Sequence, residues 1–304
     1  MKDVVAYTKR LAETDGQKIH LIMTTNATLI DEEKAIFLSD NNIKYLVSID
    51  GDKSTHDKHR QLLSGGSSFE KIRAAFPIMA KYQPWMGARL TICPDTVDKL
   101  LVNVQTLADM GFHQFILGQV DGSNEWTAEH YTIYREELIR VARFIRLGQL
   151  QGLPLRISTF EIEHLTRGSS ELKSFFKGGY LCEATAKLAV APNGTLYPCA
   201  KFISTGDAGE HPYCLGDVND GISNLYARKD LANDSMSNRQ SCLLCDCKES
   251  CPGMCPANNF NQNGCIFHAA GVCNYTKMVY VPAIPALTQI AKASSPEELM
   301  NSSI

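Results

Sequence analysis

Ile43-Lys44-Tyr45-Leu46-Val47-Ser48-Ile49 reads as a β-strand, and the segments on either side of it set the fold class. Upstream, Asp31 caps a helix running to about Asp40, with Glu32 and Glu33 in its first turn. Before that helix, Ile19-His20-Leu21-Ile22-Met23-Thr24-Thr25 is another strand. Downstream, Ser68 to Lys81 is helical, with Phe69, Ile72 and Phe76 on one face. Ala88-Arg89-Leu90-Thr91-Ile92 is a third strand, and Val97 to Met110 is a helix stopped by Gly111. Phe112 to Val120 is a fourth strand. Strands alternating with helices predict an α/β fold with parallel pairing and right-handed crossovers.

Beyond this stretch the pattern changes. Trp126 to Gly148 is one long helix, with Tyr131, Tyr134, Leu138, Val141 and Ile145 at the spacing of a core stripe. Residues 149–181 form a less regular connection. Leu188 to Tyr197 reads as a hairpin turning at Asn193-Gly194. Cys, Gly, Pro and Asn then dominate, and Pro282 to Ile304 reads as a weak helix and a polar tail.

The chain has 304 residues, enough for one large domain or two modest ones. Its 44% hydrophobic content fills a core, and 21% charged residues is ordinary for a globular protein. A formal net charge of −3 argues against a nucleic-acid partner. No apolar run of about 18 residues occurs, so no membrane span is expected. Met1-Lys2-Asp3-Val4 does not open a signal peptide, and the expected location is cytoplasmic.

Of eleven cysteines, only Cys93 precedes residue 180. Without an export signal, and with an odd count, a disulfide framework fits poorly. Clustered thiolates select zinc or iron–sulfur clusters. Cys182 and Cys199 flank the hairpin; Cys242-x2-Cys245-x5-Cys251-x3-Cys255 follows after a gap, and Cys273 after another. Cys242-x2-Cys245 alone would also suit a zinc ribbon. These seven thiols exceed one tetrahedral site and fall one short of two four-thiolate sites. Cys247 and Cys265 read as ordinary thiols, and Cys93 as a structural one.

The full spacing, with Gly194 and Cys251-Pro252-Gly253-Met254-Cys255, resembles the SPASM domain, the auxiliary-cluster domain appended to many radical SAM enzymes. The resemblance implies two [4Fe–4S] clusters in a crossed arrangement. Cys182, Cys199 and Cys255 would hold the first. Cys242, Cys245, Cys251 and Cys273 would hold the second. Cys214, before Leu215-Gly216-Asp217-Val218, is a candidate fourth ligand of the first.

The N-terminal half carries the same resemblance. Thr24-Thr25-Asn26-Ala27-Thr28-Leu29 resembles the strand end lining the cofactor cavity of radical SAM enzymes, which implicates Thr25 and Asn26. Ser48-Ile49-Asp50-Gly51, followed by His56-Asp57 and Arg60, resembles another of their signatures. There the serine and arginine hold the carboxylate of S-adenosylmethionine, a task suited to the arginine fork. Ser48, Asp50 and Arg60 are therefore candidate cofactor-binding residues. Read singly, Thr24-Thr25 is a strand end and His56-Asp57 a solvated turn. The implied architecture is a partial parallel (β/α) barrel over residues 1–121, a helical connection over 122–178, a SPASM domain over 179–280, and a C-terminal helix and tail over 281–304.

Two features depart from the family. No C-x3-C-x2-C loop for a catalytic cluster occurs before residue 180, and the glycine-glycine-glutamate-proline segment is absent. Against the family pattern, the chain starts in the helix after the second strand, leaving the Ile19–Thr25 strand as an open edge. The expectation is a fragment; the alternative is that a second polypeptide supplies the rest. Binding of S-adenosylmethionine by this chain alone is then weak or absent, and its own catalytic residues are unassigned. The implied parent activity is a radical SAM maturase that abstracts hydrogen from a peptide or protein substrate, fed by a flavodoxin or ferredoxin. In sulfatase-maturing members an aspartate base follows the second hairpin cysteine. Ala200 stands there, which leans toward another peptide modification such as thioether formation. The rival reading is a non-catalytic iron–sulfur or zinc protein that binds a peptide or partner chain.

Overall fold

The computed structural model describes residues 1–120, 125–157, 187–203, 211–234, 238–248, 251, 255–269, 271 and 273–301. The chain divides into two compact units, Met1–Val120 with Glu136–Leu165 and Ala286–Ile304, and Asp121–Arg135 with Thr166–Pro285.

The first unit is built on a parallel sheet. Its elements are α1 (Lys2–Thr14), β1 (Ile22–Thr25), α2 (Glu32–Asp40), β2 (Lys44–Ser48), α3 (Lys53–His59), α4 (Ser68–Tyr82), β3 (Gly87–Ile92), α5 (Leu100–Asp109), β4 (Gln114–Gln119), the part of α6 (Ala128–Leu150) from Glu136 on, and β5 (Arg156–Ile157). The strand order is β1-β2-β3-β4-β5, and every neighbouring pair is parallel. Thr25 pairs with Val47, Ser48 with Arg89 and Ile92 with Gln119, so successive strands end along one edge. Helices cover the sheet because parallel strands connect through crossovers. Val47, Ile49, Leu90, Val104, Phe112 and Phe115 are fully buried. So are Leu138, Val141 and Ile145 of the predicted α6 stripe.

Local chemistry explains the helix starts. Asp31 accepts the Lys34 N–H at 2.9 Å and Ser67 accepts the Glu70 N–H at 3.1 Å. Gly111 ends the following segment with φ +102°. The expected helix from Val97 is split: Pro94–Lys99 is a 3-10 turn, and α5 begins at Leu100. β5 was hidden in the segment read as irregular, since two residues carry no periodicity. β1 forms the sheet edge, and its Ile22 is 80% exposed. On α1, Val5 and Ala12 are buried while Val4, Tyr7 and Leu11 stay exposed.

The second unit contains an antiparallel sheet of β6 (Ala189–Val190), β7 (Thr195–Tyr197), β8 (Gly216–Asp217) and β9 (Gly221–Ile222). The predicted hairpin is present, with a three-residue loop rather than a two-residue one. Gly194 N–H donates to the Ala191 carbonyl at 2.9 Å, and Gly194 takes φ +90° before the chain re-enters β7. β8 and β9 went unread because they are two residues long. The apolar centre of this unit includes Leu196, Tyr197, Phe202, Tyr213, Leu215 and Ile266.

The C-terminal stretch is more ordered than a weak helix and tail. Cys273–Tyr275 leads through a π turn, Thr276–Tyr280, into the helix Val281–Lys292, where Ala283, Leu287 and Ile290 are buried. A final helix, Pro296–Asn301, buries Leu299. Among the described residues, no helix is long and apolar enough to cross a membrane.

Candidate functional site

In open parallel α/β sheets, ligands bind beyond the carboxyl ends of the strands. Four of the five predicted cofactor residues lie in the segments that leave β1 and β2 at that edge, and the fifth ends α3. After β1, Thr25 Oγ1 accepts the Ala27 N–H at 3.0 Å, and Asn26 Oδ1 accepts the Thr28 N–H at 3.2 Å. Ala27 is fully buried with φ +56°, a conformation that side chains other than glycine seldom adopt.

After β2 come half-buried Ser48, buried Asp50, and Gly51 with φ +148°. A Cβ on Gly51 would lie 2.1 Å from Cγ of Asn103, whose Oδ1 accepts the Asp52 N–H at 3.1 Å. Asp52 then caps α3 through the Thr55 N–H at 2.7 Å. Arg60 closes α3 and turns back onto the strand ends. Its Nε donates to Asp50 Oδ2 at 2.5 Å, and its Nη2 to Thr91 Oγ1 at 3.0 Å. Asp50 Oδ1 accepts the Thr91 N–H at 2.8 Å. Asp50 and Arg60 thus meet directly, while no hydrogen bond joins Ser48, Thr25 or Asn26 to Arg60.

His56 is not the solvated turn that its sequence neighbourhood allows. It is 1% exposed, accepts the Asp50 N–H at Nδ1 (3.2 Å), and sits with Nε2 2.8 Å from Ser68 Oγ. Burial holds its pKa below the ordinary imidazole value. Sequence reasoning missed Thr91, Ser68 and Asn103, which reach this cluster from distant elements and carry no local signal.

Nearby, His59, Cys93 and Asp95 offer ligand atoms within 4.8 Å of one another. Asp95 is already paired, with Lys58 at 2.7 Å and His59 at 3.1 Å. Burial pushes the Cys93 thiol up to about 11, so it favours the protonated form.

In the second unit the cysteines fall into groups. Cys199 follows β7, Cys214 precedes β8, and Cys255 is the N-cap of the helix Pro256–Asn263. All three pack against the same apolar cluster in this unit. Cys214 lies beside Tyr197, whose hydroxyl pKa is raised by burial and then by that thiol. Cys182, the remaining predicted ligand of this set, lies outside the described residues.

Consecutive turns bring the other group together. Cys242 N–H donates to Arg239 O, Cys245 N–H to Cys242 O, and Lys248 N–H to Cys245 O. Arg239 anchors this run through a buried ion pair with Asp234. Cys242 and Cys245 lie near Cys273, whose thiol is pushed up by burial and eased down by Lys277. Cys247, read from sequence as an ordinary thiol, hydrogen-bonds with Cys245 and also neighbours Cys273. Cys251 neighbours Tyr280.

All ten described cysteines are free thiols. Four sulfurs on one tetrahedral zinc lie about 4 Å apart, given a Zn–S bond near 2.3 Å. Among the described residues, no three of these cysteines bring their sulfurs within 4.8 Å of one another.

No protein-family model matches the chain. It is 24% identical over 287 residues to the cysteine-type anaerobic sulfatase-maturating enzyme of Clostridium perfringens strain ATCC 13124, covering 90% of this chain and 74% of that protein. It is 25% identical over 282 residues to the enzyme of the same name from Clostridium novyi strain NT, covering 88% and 72%. Native anSMEcpe with bound AdoMet matches the fold with a TM-score of 0.72 at 20% identity, over 93% of this chain and 78% of that one. Streptococcus suis SuiB bound to precursor peptide SuiA matches with a TM-score of 0.53 at 16% identity, over 84% and 59%. The chain is therefore similar, along about nine tenths of its length, to anaerobic sulfatase-maturating enzymes, and its parallel α/β sheet matches the fold of anSMEcpe.

Proposed function

We propose that the chain is a radical SAM maturase of the SPASM type acting on a peptide, whose thiols hold two auxiliary [4Fe–4S] clusters and whose Arg60, with Ser48, takes the carboxylate of S-adenosylmethionine. The observation that carries this reading is the grouping of the thiols. Cys199, Cys214 and Cys255 come from three distant segments to one apolar centre, and Cys242, Cys245 and Cys273 share a second neighbourhood. Cys182 completes the first set and Cys251 the second. Such clusters, when bound, supply one-electron transfer.

The sheet unit has a binding role in this reading. Asp50 and Thr91 restrain the Arg60 guanidinium, which then offers its remaining edge to a carboxylate. The Thr25-Asn26 loop lies on the strand that neighbours Ser48's, at the same sheet edge. The ligand classes come from the relatives: anSMEcpe carries AdoMet, and SuiB carries a precursor peptide. A flavodoxin or ferredoxin fits as electron donor. Ala200 opens the 3-10 turn after Cys199 and offers no base there, which favours a modification such as thioether formation over sulfatase maturation.

Iron, acid-labile sulfide and zinc are to be measured after anaerobic reconstitution. About eight irons with matching sulfide per chain are expected. A colourless protein with stoichiometric zinc and no sulfide uptake would sink the reading.

A further inference from the structure

The hydrogen bonds around Arg60 close into a ring. Asp50 N–H donates to His56 Nδ1 at 3.2 Å, and His56 Nε2 lies 2.8 Å from Ser68 Oγ. The Ser68 hydroxyl donates to the Arg60 carbonyl. Arg60 Nε returns to the Asp50 carboxylate at 2.5 Å. Donor counting fixes the tautomer. Nδ1 faces an N–H and must accept, so Nε2 carries the proton and gives it to Ser68 Oγ. The serine's own proton is then free for the Arg60 carbonyl. Only a neutral imidazole satisfies every bond.

The ring also fixes which part of Arg60 faces outward. Nε is committed to Asp50, and Nη2 gives one hydrogen to Thr91 Oγ1. Nη1 makes no hydrogen bond among the described residues. The Arg60 side chain is 31% exposed, whereas that of Asp50 is 5% exposed. The edge left for a planar, two-oxygen ligand is the one bearing Nη1 and the second Nη2 hydrogen.

We propose that His56 is the positioning residue of Arg60: by tying the Asp50 amide to the Arg60 carbonyl through Ser68, it aims the Nη1–Nη2 edge and so sets affinity for the carboxylate of S-adenosylmethionine. This rests on the carboxylate-binding reading of Arg60 given above. His56 touches no ligand itself and acts through backbone at both ends of the Asp50–Arg60 pair. A misaimed fork loses about one charge-assisted hydrogen bond to the ligand.

The test compares binding of S-adenosylmethionine with binding of its decarboxylated analogue by titration calorimetry on the whole protein. Arg60→Ala is expected to lower the preference for the carboxylate-bearing ligand. His56→Ala is expected to lower the same preference about tenfold, to leave analogue binding unchanged, and to add nothing in the Arg60→Ala background. His56→Gln, which keeps a donor near the Nε2 position, should recover part of the loss. If His56→Ala does not fold, Ser68→Ala cuts the ring at the next bond and is read the same way. Equal weakening of both ligands, or additivity with Arg60→Ala, would overturn the inference. An unchanged preference in Arg60→Ala would overturn the carboxylate reading itself. So would absence of measurable S-adenosylmethionine binding by the unaltered protein.

Discussion

His56 illustrates how one side chain ties several segments together, and its protonation has a consequence for stability. Burial lowers its pKa in the folded state; Asp50 and Asp57 oppose that shift, and Arg60 adds to it. The unfolded imidazole titrates near 6.5, so between the two values the unfolded chain binds more protons. Stability therefore rises with pH across this window: the contribution is full above about pH 6.5 and is lost as pH falls toward the depressed folded value. The urea midpoint should drop through this range in the intact protein and drop less in His56→Gln. Equal slopes would remove His56 as the cause. Asp52, Asp57 and Asp95 also have lowered pKa values, but their contributions are present above about 3.8 and are lost only at lower pH, so the windows separate. At this scale the sequence was partly legible. Ser48, Asp50 and Arg60 lie within a short stretch and form a recognisable pattern. Thr91 and Ser68 do not, because nothing near them in sequence records that a guanidinium or an imidazole will arrive.

Among the elements, the turn after β2 is tightly constrained. Gly51 has φ +148°, and any Cβ would collide with the Asn103 side chain at 2.1 Å. Relieving the clash would pull Asn103 from the Asp52 N–H at the start of α3. Gly51→Ala should cost roughly 1–3 kcal/mol. Chemical denaturation checks this, and a change under about 0.5 kcal/mol would contradict it. Helix starts were readable because caps are local: Asp31 and Gly111 act within a few residues of themselves. The longer strands of the parallel sheet were readable from their apolar runs. β5, β8 and β9 were not, because two residues cannot display a period, and their pairing depends on strands already in place. The 3-10 turn Pro94–Lys99 escaped for a related reason: its residues suit either helical geometry.

For the whole molecule, the cysteine pattern outweighed every secondary-structure signal in the sequence. Spacing picks out candidate thiols, yet spatial grouping comes from turns and packing that spacing does not encode. Cys247 shows the difference, since it lies outside the recognised pattern and sits against Cys245. The sheet is equally uneven as a whole. Its β1 edge carries exposed Ile22 and no further paired strand among the described residues. Exposed edges of this kind invite a further strand.

In the proposed function, two separate thiolate sets, interleaved in sequence, each hold a four-iron cluster. Mössbauer spectroscopy of protein reconstituted with iron-57 tests it most directly, applied to the intact chain and to single cysteine variants shown beforehand to be compact. Two [4Fe–4S] clusters are expected in the intact protein. Cys199→Ala and Cys255→Ala should each lose the same one, and Cys245→Ala and Cys273→Ala the other. Loss of one shared cluster by all four variants, or loss in Cys255→Ala of the cluster that Cys245→Ala removes, would contradict it.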